Sequence, residues 1–115
     1  MQAMQLSAPG GLDQLQLNEM TPRAPGLGEV QVEVKASSLN FHDYAVVTGM
    51  IPAADGRIPM SDGAGVVTAV GDGVSDYVVG DRVLSYFFPH WPSGRPNLPN
   101  LLGVPGDHVD GFAAQ

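Results

Sequence analysis

The chain has 115 residues, 43% of them hydrophobic, which suits one domain with a modest core and excludes wholesale disorder. Twelve acidic residues against five Lys and Arg give a net charge of −7, which excludes the basic patch that nucleic acid or an anionic membrane surface requires. Cysteine is absent, so a disulfide framework, a thiolate nucleophile and a Cys-ligated zinc or iron–sulfur centre are excluded too.

Fifteen glycines and ten prolines, about a fifth of the chain against an average of ~12%, predict many turns between short strands rather than a helical bundle. Residues 1–6 are predicted as a first strand. They lack a basic start and a long apolar run, so no secretory signal is expected, and no segment approaches the ~20 apolar residues of a membrane span. Leu15-Gln16-Leu17 begins a second strand that ends near Met20. Residues 21–28 are turn-rich. Over residues 29–36, Val30, Val32, Val34 and Ala36 alternate with Gln31, Glu33 and Lys35, the pattern of a half-buried strand.

The period changes at Asn40. Asn is a good helix N-cap, and Asp43 three residues on sets a carboxylate near the positive helix end. Phe41, Tyr44 or Ala45, and Thr48 share a helical face, Gly49 is the expected C′ residue, and the β-branched Val46 and Val47 keep the helix short. A loop over residues 50–59 precedes a second strong strand at 63–70, with Gly71-Asp72-Gly73 predicted as a hairpin turn. Gly80-Asp81 makes another turn, and residues 82–87 read as a strand. Residues 89–106 carry Pro89, Pro92, Pro96, Pro99 and Pro105, with Trp91, Leu101 and Leu102 embedded. A loop of that length is usually functional, and its apolar residues are expected to fold over the barrel or a domain cleft. Residues 111–115 look like the opening of a strand. Short strands, turn signals and one short helix predict a mainly β barrel or sandwich.

Three constellations bear on chemistry. The glycine-rich run Gly63-Ala64-Gly65-Val66-Val67-Thr68-Ala69-Val70-Gly71 fails the dinucleotide fingerprint, because position 68 is Thr and no helical pattern follows. Its glycines are read as close backbone packing in a β barrel. His42, His90 and His108 lie on three separate segments without metal-ligand spacing, and no G-x-S-x-G elbow marks a hydrolase. Asn40, His42 and Asp43 form the third set. Free N–H groups at a helix start could serve a ligand there, against the plainer reading of a capped helix.

The order of segments then resembles a known family. The run Gly28-Glu29-Val30-Gln31-Val32-Glu33-Val34-Lys35-Ala36-Ser37-Ser38-Leu39-Asn40-Phe41-His42-Asp43 is similar to the start of medium-chain dehydrogenases/reductases. Ile58-Pro59-Met60-Ser61-Asp62-Gly63-Ala64-Gly65-Val66-Val67, Val70-Gly71-Asp72-Gly73-Val74, Val79-Gly80-Asp81-Arg82-Val83 and Asp110-Gly111-Phe112-Ala113-Ala114 follow in the family's order. The resemblance implies a GroES-like, partly open β barrel with one short helix over residues 1–115. It also implies that the chain stops before the Rossmann domain in which such enzymes hold their nicotinamide cofactor.

The likeness is closest to the zinc-free quinone oxidoreductase-like and alcohol dehydrogenase-like branch. Zinc-type members place Cys where this chain has Asn40, and a His-Glu pair where it has Ser61-Asp62, so neither a catalytic nor a structural zinc is expected. By resemblance, Asn40 hydrogen-bonds the nicotinamide ribose or the substrate oxygen, and Phe41 and Asp43 complete a cofactor-facing edge. His42 shapes the same cleft, with proton donation as an added role. The function implied is the N-terminal, substrate-side domain of a zinc-independent NADP- or NAD-dependent oxidoreductase acting on a carbonyl, quinone or enone. Such a domain is inactive alone. Its expected partners are a small-molecule substrate, the Rossmann domain and, at full length, a second copy in a homodimer, in the cytoplasm. The alternative is a non-catalytic GroES-like binding module, since fold does not imply function.

Overall fold

The computed structural model describes residues 1–115. Strand β1 (Gln2–Leu6) pairs antiparallel with β2 (Leu15–Glu19), from Gln2 opposite Glu19 to Leu6 opposite Leu15. The chain's last residues close on the other edge of β1. Gln2 N–H donates to the Gln115 carbonyl at 2.9 Å, and Met4 N–H to the Ala113 carbonyl at 2.8 Å. The strand expected at 111–115 is thus reduced to a bridge, Ala3 opposite Ala114.

A second antiparallel sheet has the order β3 (Val30–Ser38), β4 (Asp62–Val70), β5 (Arg82–Leu84). Along β3, Val30, Val32 and Val34 are half-buried and Glu33 and Lys35 exposed, as the alternation requires, whereas Gln31 is half-buried and Ala36 exposed. Register shifts that leave Thr68 of β4 unpaired between Gln31 and Val32, and Lys35 of β3 unpaired between Val34 and Ala36, bend the two strands into the curvature of an open barrel. The β4 glycines serve packing. A Cβ on Gly65 would collide with the Glu33 carbonyl, and one on Gly63 with the Phe112 ring.

Helix α1 (Phe41–Val47) follows β3 directly and ends at Thr48, with Gly49 at φ +85°. Its buried face is Asp43, Ala45, Val46 and Val47. Val46 and Val47 pack with Leu6 in a small core, against Leu15, Ile51 and Ala53. This revises the expected face, because Phe41 (75%) and Tyr44 (52%) remain exposed. The β-branched valines that shorten the helix are the ones that anchor it. No helix here is long and apolar enough to cross a membrane.

Two further expectations change. Gly71-Asp72-Gly73 does not join neighbouring strands in a tight hairpin; the β4–β5 connection runs on through residues 71–81. The turn instead docks on the segment before β3, where Gly71 N–H donates to the Glu29 carbonyl and Gly28 N–H to the Asp72 carbonyl, both at 2.8 Å. Strand β5 ends at Leu84 rather than at residue 87. Ser85 N–H still reaches the Gly63 carbonyl at 2.8 Å, but the Gly63 N–H donates to the Ser85 hydroxyl at 3.0 Å, and ladder pairing stops with Leu84 opposite Ala64. In the proline-rich segment, Leu98–Leu101 form a 3-10 turn capped by the Asn97 side chain. Trp91 stacks on Phe88 with ring centroids 5.8 Å apart, while Leu98 and Leu102 stay exposed.

The turn before β3 carries a strongly shifted carboxyl. Arg23 forks onto Glu29 at 2.6 and 3.1 Å, and Gly26 N–H donates to the same carboxylate at 2.8 Å. The Arg23 bond, then the Gly26 bond, hold Glu29 down at about 2. An unfolded Glu titrates near ~4.3, so the unfolded chain takes up this proton first as pH falls. The contribution is therefore complete above about pH 4.5 and is lost toward pH 2. Urea midpoints should fall more steeply over that window in the wild type than in Arg23→Ala. Because the pair is exposed, 0.5 M NaCl should shrink the difference.

Candidate functional site

The end of β3, the start of α1 and the start of β4 meet at one place. Ser38, the last residue of β3, pairs with Asp62, the first of β4, so Asn40 emerges beside Ser61 and Asp62. Asp43 closes the helix start. Its Oδ2 accepts the Asn40 N–H at 2.8 Å and its Oδ1 accepts the Ser61 N–H at 2.9 Å. Asp43 is 2% exposed and Ser61 0%, so water cannot stand in for either partner.

The Asn40 side-chain amide points to β4. Its Nδ2 donates to Asp62 Oδ2 at 2.7 Å and to Ser61 Oγ at 3.2 Å. A carboxylate can only accept, so Asp62 fixes which end of the amide faces it. A buried carboxylate, a hydroxyl and an amide from segments about twenty residues apart thus form one rigid unit.

His42 turns the other way. Its Nε2 lies 2.8 Å from Asp107 Oδ2, while Nδ1 is buried, lacks a hydrogen-bond partner and sits 3.6 Å from Asp43 Oδ1. Phe87 meets the His42 ring edge-on with centroids 5.0 Å apart, and meets Phe88 edge-on in turn. His108 Nδ1 approaches the other Asp107 oxygen at 2.8 Å. Asp107, 8% exposed, therefore ties the end of the proline-rich segment to α1.

The structure brings Asn40, His42 and Asp43 together and leaves Phe41 on the open surface beside Tyr44, ring centroids 6.0 Å apart. His90 stays in the proline-rich segment, where its carbonyl accepts from Asn100 Nδ2. Asp62, Asp107 and Phe87 are the participants that sequence reasoning did not assign. Of these, Asp62 carries a signal in the sequence, because the resemblance sets Ser61-Asp62 where zinc-type members place a ligand pair. No group of three His, Cys, Asp or Glu side chains is arranged to hold a metal ion, and an amide with a hydroxyl and a single carboxylate is a poor zinc donor set.

Residues 26–115 match the alcohol dehydrogenase GroES-like domain. The chain belongs to that family. It is the N-terminal GroES-like domain type of the medium-chain dehydrogenase/reductase superfamily, and its open β architecture is the one expected. It is 49% identical over 77 residues to the mycocerosic acid synthase-like polyketide synthase of Mycolicibacterium smegmatis, covering 65% of this chain and 4% of that protein. Escherichia coli quinone oxidoreductase complexed with NADPH superposes with a TM-score of 0.69 and 35% identity, covering 73% of this chain and 26% of the other. The cobalt- and zinc-bound alcohol dehydrogenase of Pyrobaculum aerophilum gives 0.86 and 33%, covering 96% and 36%. This GroES-like chain therefore spans no more than about a third of any of these relatives.

Proposed function

We propose that this GroES-like chain forms the substrate-side wall of a zinc-independent, NADP- or NAD-dependent oxidoreductase that reduces a carbonyl, quinone or enone. The observation that carries the reading is the Asn40 amide, held by Asp62 and Ser61 at the junction of β3, α1 and β4. A pre-set amide of this kind orients a ribose hydroxyl or an incoming oxygen without reorganisation at the moment of reaction. Of its two bonds, the 3.2 Å contact with Ser61 is the longer, and is the one an incoming oxygen would replace.

A bound nicotinamide would supply the hydride. The residues present fit only its reactive edge. The β4 glycines, which alone suggested a phosphate cradle, are filled by the Phe112 ring and the Glu33 backbone. Asp43 holds the helix start in place, and His42, through Asp107, holds the aromatic segment with Phe87 against it. His42 acts as a positioning residue in this reading, because its free Nδ1 is buried beside Asp43. The setting proposed is the cytoplasm, which suits a chain without cysteine.

The test is reductase activity with NADPH and NADH against a quinone, an aldehyde and an enone. The 115-residue chain alone should show none, and should bind NADPH no tighter than millimolar. A polypeptide joining these residues to a nicotinamide-binding domain should turn over. Activity from the isolated chain, or none from the joined one, would overturn the proposal.

A further inference from the structure

Between Tyr86 and Gly103 the chain hydrogen-bonds only to itself. Trp91 N–H donates to the Phe88 carbonyl and Trp91 Nε1–H to the Gly94 carbonyl, both at 3.1 Å. Asn100 donates from its backbone to the Asn97 side chain at 3.0 Å, and from Nδ2 to the His90 carbonyl at 2.8 Å. The rings of Phe87, Phe88 and Trp91 follow one another with centroids 4.7 and 5.8 Å apart. The segment is folded within itself, yet no hydrogen bond ties it to a strand or to α1. A unit so joined opens at little cost in hydrogen bonds.

Its two ends are defined. Ser85 belongs to the sheet, donating its N–H to the Gly63 carbonyl and accepting the Gly63 N–H on its hydroxyl. Gly103 has φ +79°, and directly after it Val104, Pro105, Gly106 and Asp107 are buried. One handhold lies between these ends. Phe87 meets the His42 ring at an interplanar angle of 79°. That ring is not free to turn, because Nε2 is bound to Asp107 Oδ2, and Asp107 lies on the anchored side of Gly103. The carboxylate therefore sets the ring against which the segment rests.

We propose that residues 86–103 swing as one flap about Ser85 and Gly103, and that the His42 ring, set by Asp107, holds the flap closed beside Asn40. Opening withdraws Phe87 from His42, two residues on from Asn40, and clears an approach to the Asn40 amide. The use of that approach by a substrate rests on the reductase reading above. The motion itself does not, and it is testable without cofactor or turnover.

The 115-residue chain has no cysteine, so Gln16→Cys on β2 and Ser93→Cys in the flap, both at exposed positions, take nitroxide labels at those two sites alone. Pulsed electron paramagnetic resonance then reads the distance between them. With no other change, one distance should dominate. Phe87→Ala, which removes the handhold, should raise the population at a second, displaced distance about tenfold, as loss of an edge-on ring pair and its burial requires. Phe87→Tyr, which keeps the ring, should restore the single distance. Asp107→Ala should act like Phe87→Ala, because His42 then loses the bond that orients it. Where a urea transition shows that Asp107→Ala does not fold, His42→Phe keeps a ring without that bond and should open the flap in the same way. Emission from Trp91, the sole tryptophan, should keep its wild-type wavelength throughout, because the flap moves without melting. In Phe87→Ala the Asn40 side-chain amide signal should become more accessible to a neutral gadolinium chelate.

An unchanged distance in Phe87→Ala, or in the folded variant that breaks the His42–Asp107 bond, would overturn the proposal. So would a red-shifted Trp91 emission alongside the second distance, which marks local unfolding, or an Asn40 amide no more accessible than before. Reduction by the polypeptide joined to a nicotinamide-binding domain, with a flap that stays fixed in every variant, removes the flap and leaves the reductase reading standing. A moving flap on a joined polypeptide that reduces nothing does the reverse.

Discussion

Asp43→Ala is expected to abolish cooperative unfolding at 25 °C or to bring the urea midpoint close to zero. Both oxygens of this carboxylate accept backbone N–H groups, from Asn40 at 2.8 Å and Ser61 at 2.9 Å, and alanine would leave both donors without a partner. Each buried donor so orphaned costs about 1–3 kcal/mol, and bonds to a charged acceptor lie at the upper end. Domains are stable by only ~5–15 kcal/mol. This one buries 15 of its 115 residues and belongs near the bottom of that range. Loss of the carboxylate at the helix start adds to the deficit. Asp43→Asn keeps one acceptor oxygen and should fall between wild type and alanine. Far-UV circular dichroism against urea decides it: a wild-type midpoint in Asp43→Ala would show that the helix start does not hold β4.

Asn40→Ala should have the largest effect on catalysis. In the polypeptide joined to a nicotinamide-binding domain, it should lower kcat about 10²–10³-fold, the cost of removing one oriented hydrogen-bond donor from a developing charge. Truncation at this position also removes a helix cap, worth about 1 kcal/mol, so a loss of activity could be mistaken for a loss of fold. Asn40→Ser separates the two. Serine caps as well as asparagine, but its short side chain cannot span to Asp62, where the amide now donates at 2.7 Å. Stability should therefore return in Asn40→Ser while turnover stays low. Wild-type kcat in either variant removes Asn40 from the site, and a stable but slow Asn40→Ser keeps it there.

These two expectations draw on different levels of the molecule. Capping of α1 is local: Asn40 and Asp43 lie three residues apart, and that spacing alone sets a carboxylate over the first turn. The partners of the same residues are not local. Asp62 comes from the start of β4 and is placed beside Asn40 by the pairing of Ser38 with Asp62, in a ladder interrupted by a bulge at Thr68 of β4 and another at Lys35 of β3 whose offsets cancel. No spacing in the sequence announces where those bulges fall.

The amino-acid sequence by itself determined the strands with a period of two, the short capped helix and its glycine stop, the exclusion of cysteine chemistry and the family-like order of segments. Each follows from forces acting over a few residues, or from composition. Tertiary structure alone decided that Val46 and Val47, rather than Phe41 and Tyr44, anchor the helix, because the direction of the core depends on where Leu6 and Leu15 lie. It also decided that β5 stops at Leu84, where the Ser85 side chain takes the next β4 N–H, and that His42 reaches Asp107 across 65 residues of chain. Burial and long-range pairing depend on what the rest of the chain brings alongside, and that is absent from any local pattern.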